Sequence, residues 1–316
     1  MFIKSTAIAA LVVLSTAPAM ASSITDTFTS FWILGDSLSD DGNRGRATDG
    51  LLWNEPIQDE FEAAGGPHAN LAYGGANVVP MGEPGILDLP QQVGALSAFQ
   101  SSFGDTPLVS LWIGGNDAVP IALNGYAQTP EQFADMNFSL NLTVEIYRQS
   151  LLALVGLGVS DFLVFELPDV GDTPFVQAFA TAGFVDAADV TDASKDLNSA
   201  FDAVHDTIAA TVPGINFYKV AVFDLSDDLR DNPELFGATE VGPCAPTFFQ
   251  GSLFIPAASD DCTKTTYWDG FHPTENVHLV LTDLARDALH PIPLPASAFL
   301  LLASLGGLGL IRRRAA

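Results

Sequence analysis

The chain alternates short apolar runs with stretches of helical spacing. This predicts an α/β fold built on a five-stranded parallel sheet. Three observations carry the prediction. Five runs, Phe31–Leu34, Ala69–Tyr73, Leu108–Ile113, Asp161–Leu167 and Ile215–Val220, are short, apolar and bounded by Gly, Pro or polar residues, the pattern of buried strands. Helical stretches separate them, and such alternation places helices on both faces of a parallel sheet. Small-residue breaks follow the first three runs: Gly35-Asp36-Ser37, Gly74-Gly75 and Gly114-Gly115-Asn116-Asp117. In open α/β sheets, ligands bind beyond the carboxyl ends of the strands.

After the first strand, Asp36 to Asn43 reads as a turn and a helix start, closed by Gly42-Asn43. Arg44 to Asn54 is polar and reads as a loop, with Trp53 exposed or lining a cleft. Glu55 to Ala64 has helical spacing and ends at Gly65-Gly66-Pro67. Val78 to Gly85 is a loop. Asp88 to Phe103 is a predicted helix with Leu89, Val93, Leu96 and Phe99 facing inward. Thr129-Pro130-Glu131 is an N-cap followed by Pro at the first helical position, and helix runs from there to Gly158 in one or two pieces. Pro174–Ala182 and Ala187–Thr211 are helical. Asp224 to Trp268 reads as irregular, and Pro273–Leu289 as a final helix with Val277, Leu281, Leu284 and Leu289 inward.

Both ends differ from this body. Residues 1–21 combine Lys4, the apolar run Ala7–Leu14 and a terminal Ala19-Met20-Ala21. That is the pattern of a secretory signal with cleavage before Ser22. Residues 291–316 begin with a Pro-broken stretch, continue as an apolar run rich in Leu and Gly, and end in Arg312-Arg313-Arg314. The run Ala296–Ile311 is slightly short of the ~20 residues of a spanning helix, though its flanks can snorkel. The three Arg put that end in the cytoplasm. Residues 22–290 are then one catalytic domain.

The chain carries 12 basic and 38 acidic residues, a formal net charge of −26. Lys4 and three of the Arg lie in the end segments, so the body is more acidic still. This excludes nucleic-acid binding and electrostatic docking on anionic lipid. The only cysteines, Cys244 and Cys262, suggest one disulfide in an oxidising compartment. No His/Cys cluster has zinc spacing, and GxGxxG follows no strand, so no metal or organic cofactor is expected.

Chemistry collects at the strand ends. Ser37 lies just past the first strand and is the candidate nucleophile, although Asp36, Ser37, Ser39 and Asp40 also read as helix-capping residues. A Ser hydroxyl needs a base, and a His base needs an acceptor to fix its tautomer. Asp269 and His272, three residues apart, fit that pairing. Backbone N–H groups of Ser37 and Gly75 and the Asn116 amide are candidate oxyanion donors. The glycines also read as ordinary turns, and Asn116 as a cap. His68, His205, His278 and His290 lack such partners and read as structural or exposed. Asp36, Asp40 and Asp41 are assigned turn and hydrogen-bond roles. Trp53, Trp112, Trp268 and Phe271 are candidates for lining a substrate pocket, with Trp112 also a candidate for the core.

Taken in order, GDSLSDDGN, AYGGAN, GGND and DGFHP resemble the signature blocks of the GDSL esterase/lipase family, the SGNH hydrolases. The resemblance spans Phe31 to about Leu289 by block spacing. It implies a flavodoxin-like three-layer α/β/α SGNH-hydrolase fold. It also implies Ser37 as nucleophile, Gly75 and Asn116 completing the oxyanion hole, and Asp269 and His272 as orienter and base. The expected activity is hydrolysis of carboxylic esters (of a lipid, a small ester or an acetylated glycan), with deacetylation of exopolysaccharide or a non-enzymatic surface-binding role as alternatives. The tail Pro293-Leu294-Pro295-Ala296, followed by an apolar run and an Arg cluster, resembles the PEP-CTERM/VPLPA-type sorting signal, with Ile292 where that pattern has Val. It implies export machinery and an exosortase-like processing enzyme as partners. The globule is then surface-associated or secreted, with membrane contact only through the tail.

Overall fold

The computed structural model describes residues 23–244 and 261–289. The signal-like residues 1–21 and the sorting-type tail 291–316 lie outside the described residues. Among the described residues, no helix is long and apolar enough to cross a membrane.

Five parallel strands form the sheet: β1 (Ser30–Gly35), β2 (His68–Asn70), β3 (Pro107–Trp112), β4 (Asp161–Phe165) and β5 (Asn216–Val220), in the order β2-β1-β3-β4-β5. All pairings are parallel. Helices α1 (Ile24–Thr27), α2 (Glu55–Ala64), α3 (Leu89–Leu96), α4 (Gly115–Ala122), α5 (Pro130–Ala134), α6 (Phe138–Gly156), α7 (Pro174–Thr181), α8 (Ala187–Thr211), α9 (Leu225–Asp231) and α10 (Glu275–Leu289) complete the described chain, with β6 (Glu240–Pro243) and β7 (Thr265–Tyr267) as a small second sheet.

Strand alternation sorts the core into two layers. Trp32 and Leu34 of β1, Val109 and Leu111 of β3, and Phe162 and Val164 of β4 face α3, α6 and α8 through Leu96, Leu151, Leu197 and Phe201. Phe31 and Ile33, Leu108 and Trp112, and Leu163 and Phe165 face the other way, onto α2 and α10 through Ile57, Phe61, Val277 and Leu281. Each fully buried side chain of this size contributes about 1.5–3 kcal/mol. Burial on both faces explains why these strands read as continuous apolar runs. The three layers are those the sequence predicts.

Strand order reverses at β1, whose neighbours are β2 and β3. At such a switch point the loops leaving adjacent strands diverge and open a crevice at the carboxyl edge. The loops after β1 and β3 carry Ser37 and Asn116, so the fold itself brings two candidate residues to one crevice.

The local differences have physical causes. No helix follows Asp36: residues 36–54 form turns, because four backbone amides fold onto the Asp40 carboxylate, as detailed below. The helix read over Asp88–Phe103 is α3 followed by a 3₁₀ turn at Ser97–Ser102. The tighter winding rotates Phe99 outward, 40% exposed. The stretch Asp224–Trp268 is not wholly irregular. It contains α9, a 3₁₀ turn at Pro233–Phe236 and the β6–β7 pair. The structure joins Cys244, just after β6, to Cys262, just before β7, in a disulfide. Closing the 18-residue separation restricts the unfolded chain by about 3 kcal/mol in the loop-entropy account.

Candidate active site

Gly35 ends β1 at a point with no room for a side chain. A Cβ there would lie 2.5 Å from the Trp112 carbonyl oxygen of β3. Gln92 of α3 grips the same residue: its Oε1 accepts from Gly35 N–H at 2.9 Å and its Nε2 donates to Gly35 O at 2.8 Å. Gln92 is fully buried. The strand terminus is therefore held from two sides immediately before the Ser37 turn.

Inside that turn, Asp40 is fully buried and organises the loops. Its Oδ1 accepts from Gly42 and Asn43 N–H at 2.9 and 2.6 Å. Its Oδ2 accepts from Arg44 and Gly74 N–H at 3.0 and 2.7 Å. Asn43 Nδ2 adds bonds to the Asn70 and Ala72 carbonyls. The Ser37 loop is thus tied to the Gly74-Gly75 loop after β2. Asp117 does the equivalent for the third loop: it accepts from Val78 and Val79 N–H and from the Tyr126 hydroxyl. Of the acids in the motif blocks, Asp36, Asp40 and Asp117 receive backbone amides, whereas Asp41 accepts from the Gln58 side chain.

His272 is presented by the loop between β7 and α10. Thr274 N–H and Oγ1 donate to the Thr266 and Thr265 carbonyls, and Trp268 N–H donates to the His272 carbonyl at 2.7 Å. These bonds fold 268–273 into a closed loop anchored to β7. Within it, Asp269 Oδ1 accepts from Phe271 and His272 N–H, both at 2.7 Å. Asp269 Oδ2 lies 2.7 Å from His272 Nδ1. His272 Nε2 lies 2.7 Å from Ser37 Oγ. Asp269 is buried while Ser37 and His272 are half-buried, so only the reacting pair meets the crevice. With Nδ1–H donated to Asp269, Nε2 is left as the acceptor for the Ser37 proton.

The Ser37 and Gly75 amides have no acceptor among the described residues, whereas the Gly74 amide is taken by Asp40. This selects Gly75 over Gly74 as a free donor. Gly75 has φ +81°, a left-handed conformation suited to glycine. Asn116 is exposed at the start of α4, and its Nδ2 donates one hydrogen to Ala76 O at 2.9 Å. The second hydrogen remains for a ligand. The crevice thus joins a Ser–His–Asp relay to two free backbone donors and a side-chain amide.

Burial sets the electrostatics beneath the crevice. It pushes the Asp36 carboxyl up to about 7 and the Asp117 carboxyl up to about 6, because a low-dielectric environment disfavours the charged form. The hydrogen bond from Leu38 N–H to Asp36 opposes the shift. His278 on α10 is fully buried and held down to about 3 by desolvation.

The aromatic candidates separate. Trp53 is fully buried and does not line a cleft. Its Nε1–H donates to Ser39 Oγ at 3.2 Å and its ring packs on Phe165 and Trp112. Trp112 is core as well, stacked on Phe165, but one surface borders a small apolar cavity of about 40 Å³ shared with Leu38 and Phe271. Phe271 is half-buried and packs on Phe175 of α7 at 4.3 Å. Trp268 is half-buried in the His272 loop and is not part of that cavity. His68 contacts the Gly66 carbonyl and His205 contacts the Tyr147 hydroxyl, and His290 lies outside the described residues. Sequence reasoning missed the bracing by Gln92, Asn43 and Asp117. The available signal for Asp40 was an Asp placed ahead of Gly-Asn, the composition of an Asx-type turn.

The family model described as GDSL-like Lipase/Acylhydrolase matches residues 32–285. Among curated proteins, the chain is 25% identical over 181 residues to GDSL esterase/lipase EXL3 of Arabidopsis thaliana, covering 55% of this chain and 49% of that protein. It is 30% identical over 166 residues to Lipase 1 of Photorhabdus luminescens, covering 48% of this chain and 24% of that one. The chain thus spans half or less of these relatives. The phosphatidylcholine-sterol acyltransferase of Aeromonas hydrophila is 24% identical over 322 residues, covering 82% of this chain and 89% of that protein.

Proposed function

Because the chain belongs to the GDSL-like lipase/acylhydrolase family, we propose that it hydrolyses carboxylic esters through an acyl-enzyme on Ser37. The observation that carries this reading is the continuous relay Asp269–His272–Ser37, with both heavy-atom gaps at 2.7 Å. Ser37 Oγ attacks the acyl carbon as its proton passes to His272 Nε2. Asp269 receives the Nδ1–H and stabilises the imidazolium. The oxyanion rests on the Ser37 and Gly75 amides and the free hydrogen of Asn116; each such donor accounts for a factor of about 10²–10³ in rate. His272 returns the proton to the leaving alcohol. Water, deprotonated by His272, then cleaves the acyl-enzyme and regenerates Ser37. None of these steps draws on a metal or an organic cofactor.

Ser37→Ala is expected to abolish hydrolysis of p-nitrophenyl acetate and butyrate while circular dichroism is unchanged. Activity retained in a folded variant overturns the assignment.

Residues 1–21 are proposed as an export signal and 291–316 as a sorting tail with a short membrane segment, leaving 22–290 as the catalytic domain at the cell surface or outside it. Export machinery and an exosortase-like enzyme are the partners this implies. The tail favours a second reading of the substrate, an acetylated surface polysaccharide. Acetate release from such a glycan, set against fatty-acid release from a glyceride, discriminates the two.

A further inference from the structure

Arg44 stands apart from the other arginines among the described residues. Arg46, Arg148, Arg230 and Arg286 each lie against a carboxylate. In a chain with 38 acidic residues, that is the expected fate of a guanidinium. Arg44 has no carboxylate partner among the described residues and its side chain is exposed. It is nevertheless held in place: its backbone N–H donates to Asp40, and its Nη1 donates to the Gly74 carbonyl at 2.8 Å. One of five guanidinium donors is engaged, and the others have no acceptor among the described residues.

Its guanidinium lies against the turn that carries the free Gly75 amide. A Cβ built on Gly75 would lie 2.5 Å from Arg44 Nη1, so the absence of a side chain there is what lets the guanidinium settle against the turn bearing the free Gly75 amide. A Cβ built on Gly74 would lie within 4 Å of both Ser37 Cβ and Arg44 Cβ. The nucleophile and the cation therefore flank the same glycine.

We infer that Arg44 is an anion-recognition residue of this site, reading a carboxylate or phosphate that the ester substrate carries near its scissile bond. A planar guanidinium with one edge fixed and the other open is suited to bidentate contact with either group. The acidic surface around it opposes long-range attraction of anions. Recognition is then a short-range contact made by a docked substrate, and it acts on binding more than on the chemical step. The inference rests on the hydrolase reading above.

The test compares matched esters with wild type and Arg44→Gln. Mono(4-nitrophenyl) glutarate and its methyl ester form the carboxylate pair; dihexanoyl phosphatidate and dihexanoylglycerol form the phosphate pair. The expected result is a rise in KM for at least one anionic member that exceeds the rise for its neutral partner by about tenfold. The pair that responds identifies the anion. Arg44→Lys, which keeps the charge but not the fork, is expected to fall between wild type and Arg44→Gln, and carries the comparison by itself if the Gln variant does not fold. Equal changes within both pairs, or a wild type that cleaves neither anionic ester, overturn the inference. 4-Nitrophenyl acetate separates the two levels. A wild type inert towards it sinks the hydrolase reading and this inference together, whereas activity there with no Arg44 dependence in either anionic pair sinks only the inference.

Discussion

A single buried carboxyl, Asp36, couples the nucleophile turn to pH. Its pKa is raised to about 7 from an ordinary 3.8. Between those values the native state keeps a proton that the unfolded chain has released. The associated stability is therefore fully present below about pH 4 and is lost as pH rises towards 7. Asp36→Asn has no proton to lose. The stability of Asp36→Asn relative to wild type should increase from pH 4 to pH 7 and level off above it. Urea midpoints at four pH values measure this; a difference independent of pH sinks the idea. The buried His278 has the opposite slope but cancels between the two proteins. Trp53 shows a limit of reading single residues. A lone aromatic in a polar loop signals exposure, yet Ser39 and Phe165 hold it inside. Ser39 and Phe165 are remote from one another in sequence, and nothing local reports their meeting. Asp269 and His272 were legible as a pair by their three-residue spacing, whereas Ser37 read equally as a helix cap until the motif blocks were taken together; the structure brings all three into contact.

At the scale of elements, the junction of β1 with its loop is tightly constrained. Gly35→Ala must push the Trp112 carbonyl and shift the paired strand, at about 1–3 kcal/mol. It should also misplace Ser37, so kcat falls along with the melting temperature. A variant as stable and active as wild type contradicts the packing argument. The central strands β1, β3 and β4 were readable because both faces are buried and the apolar runs are nearly unbroken; the edge strands β2 and β5 are only partly buried and were marked chiefly by their flanking turn residues. The α4 helix was not: it begins at Gly115 and contains Pro120, both of which mark a break when read locally. The β6–β7 pair escaped for another reason. Thr265–Tyr267 has only three residues, and its partner lies across the disulfide loop, so the pairing is a tertiary fact. The Gly75 and Asn116 positions were legible as motif members, while the choice between Gly74 and Gly75 needed the hydrogen bond from Gly74 to Asp40.

Across the whole molecule, a net charge of −26 presses like charges together on folding. Salt screens this repulsion over about 10 Å at 0.1 M. The unfolding midpoint is expected to rise when NaCl is increased from about 0.02 M to about 0.5 M, as read by urea titration at fixed pH. A midpoint that falls would show that attractive pairs, not repulsion, dominate. One property of the relay has a temporal meaning. Ser37 and His272 are 235 residues apart, one leaving β1 and the other preceding α10. A chain emerging from its amino end displays the nucleophile 235 residues before it acquires the base. On the proposed mechanism a chain that stops before His272 lacks its base, so ester turnover would report that synthesis has passed that residue and that the two ends of the relay have met.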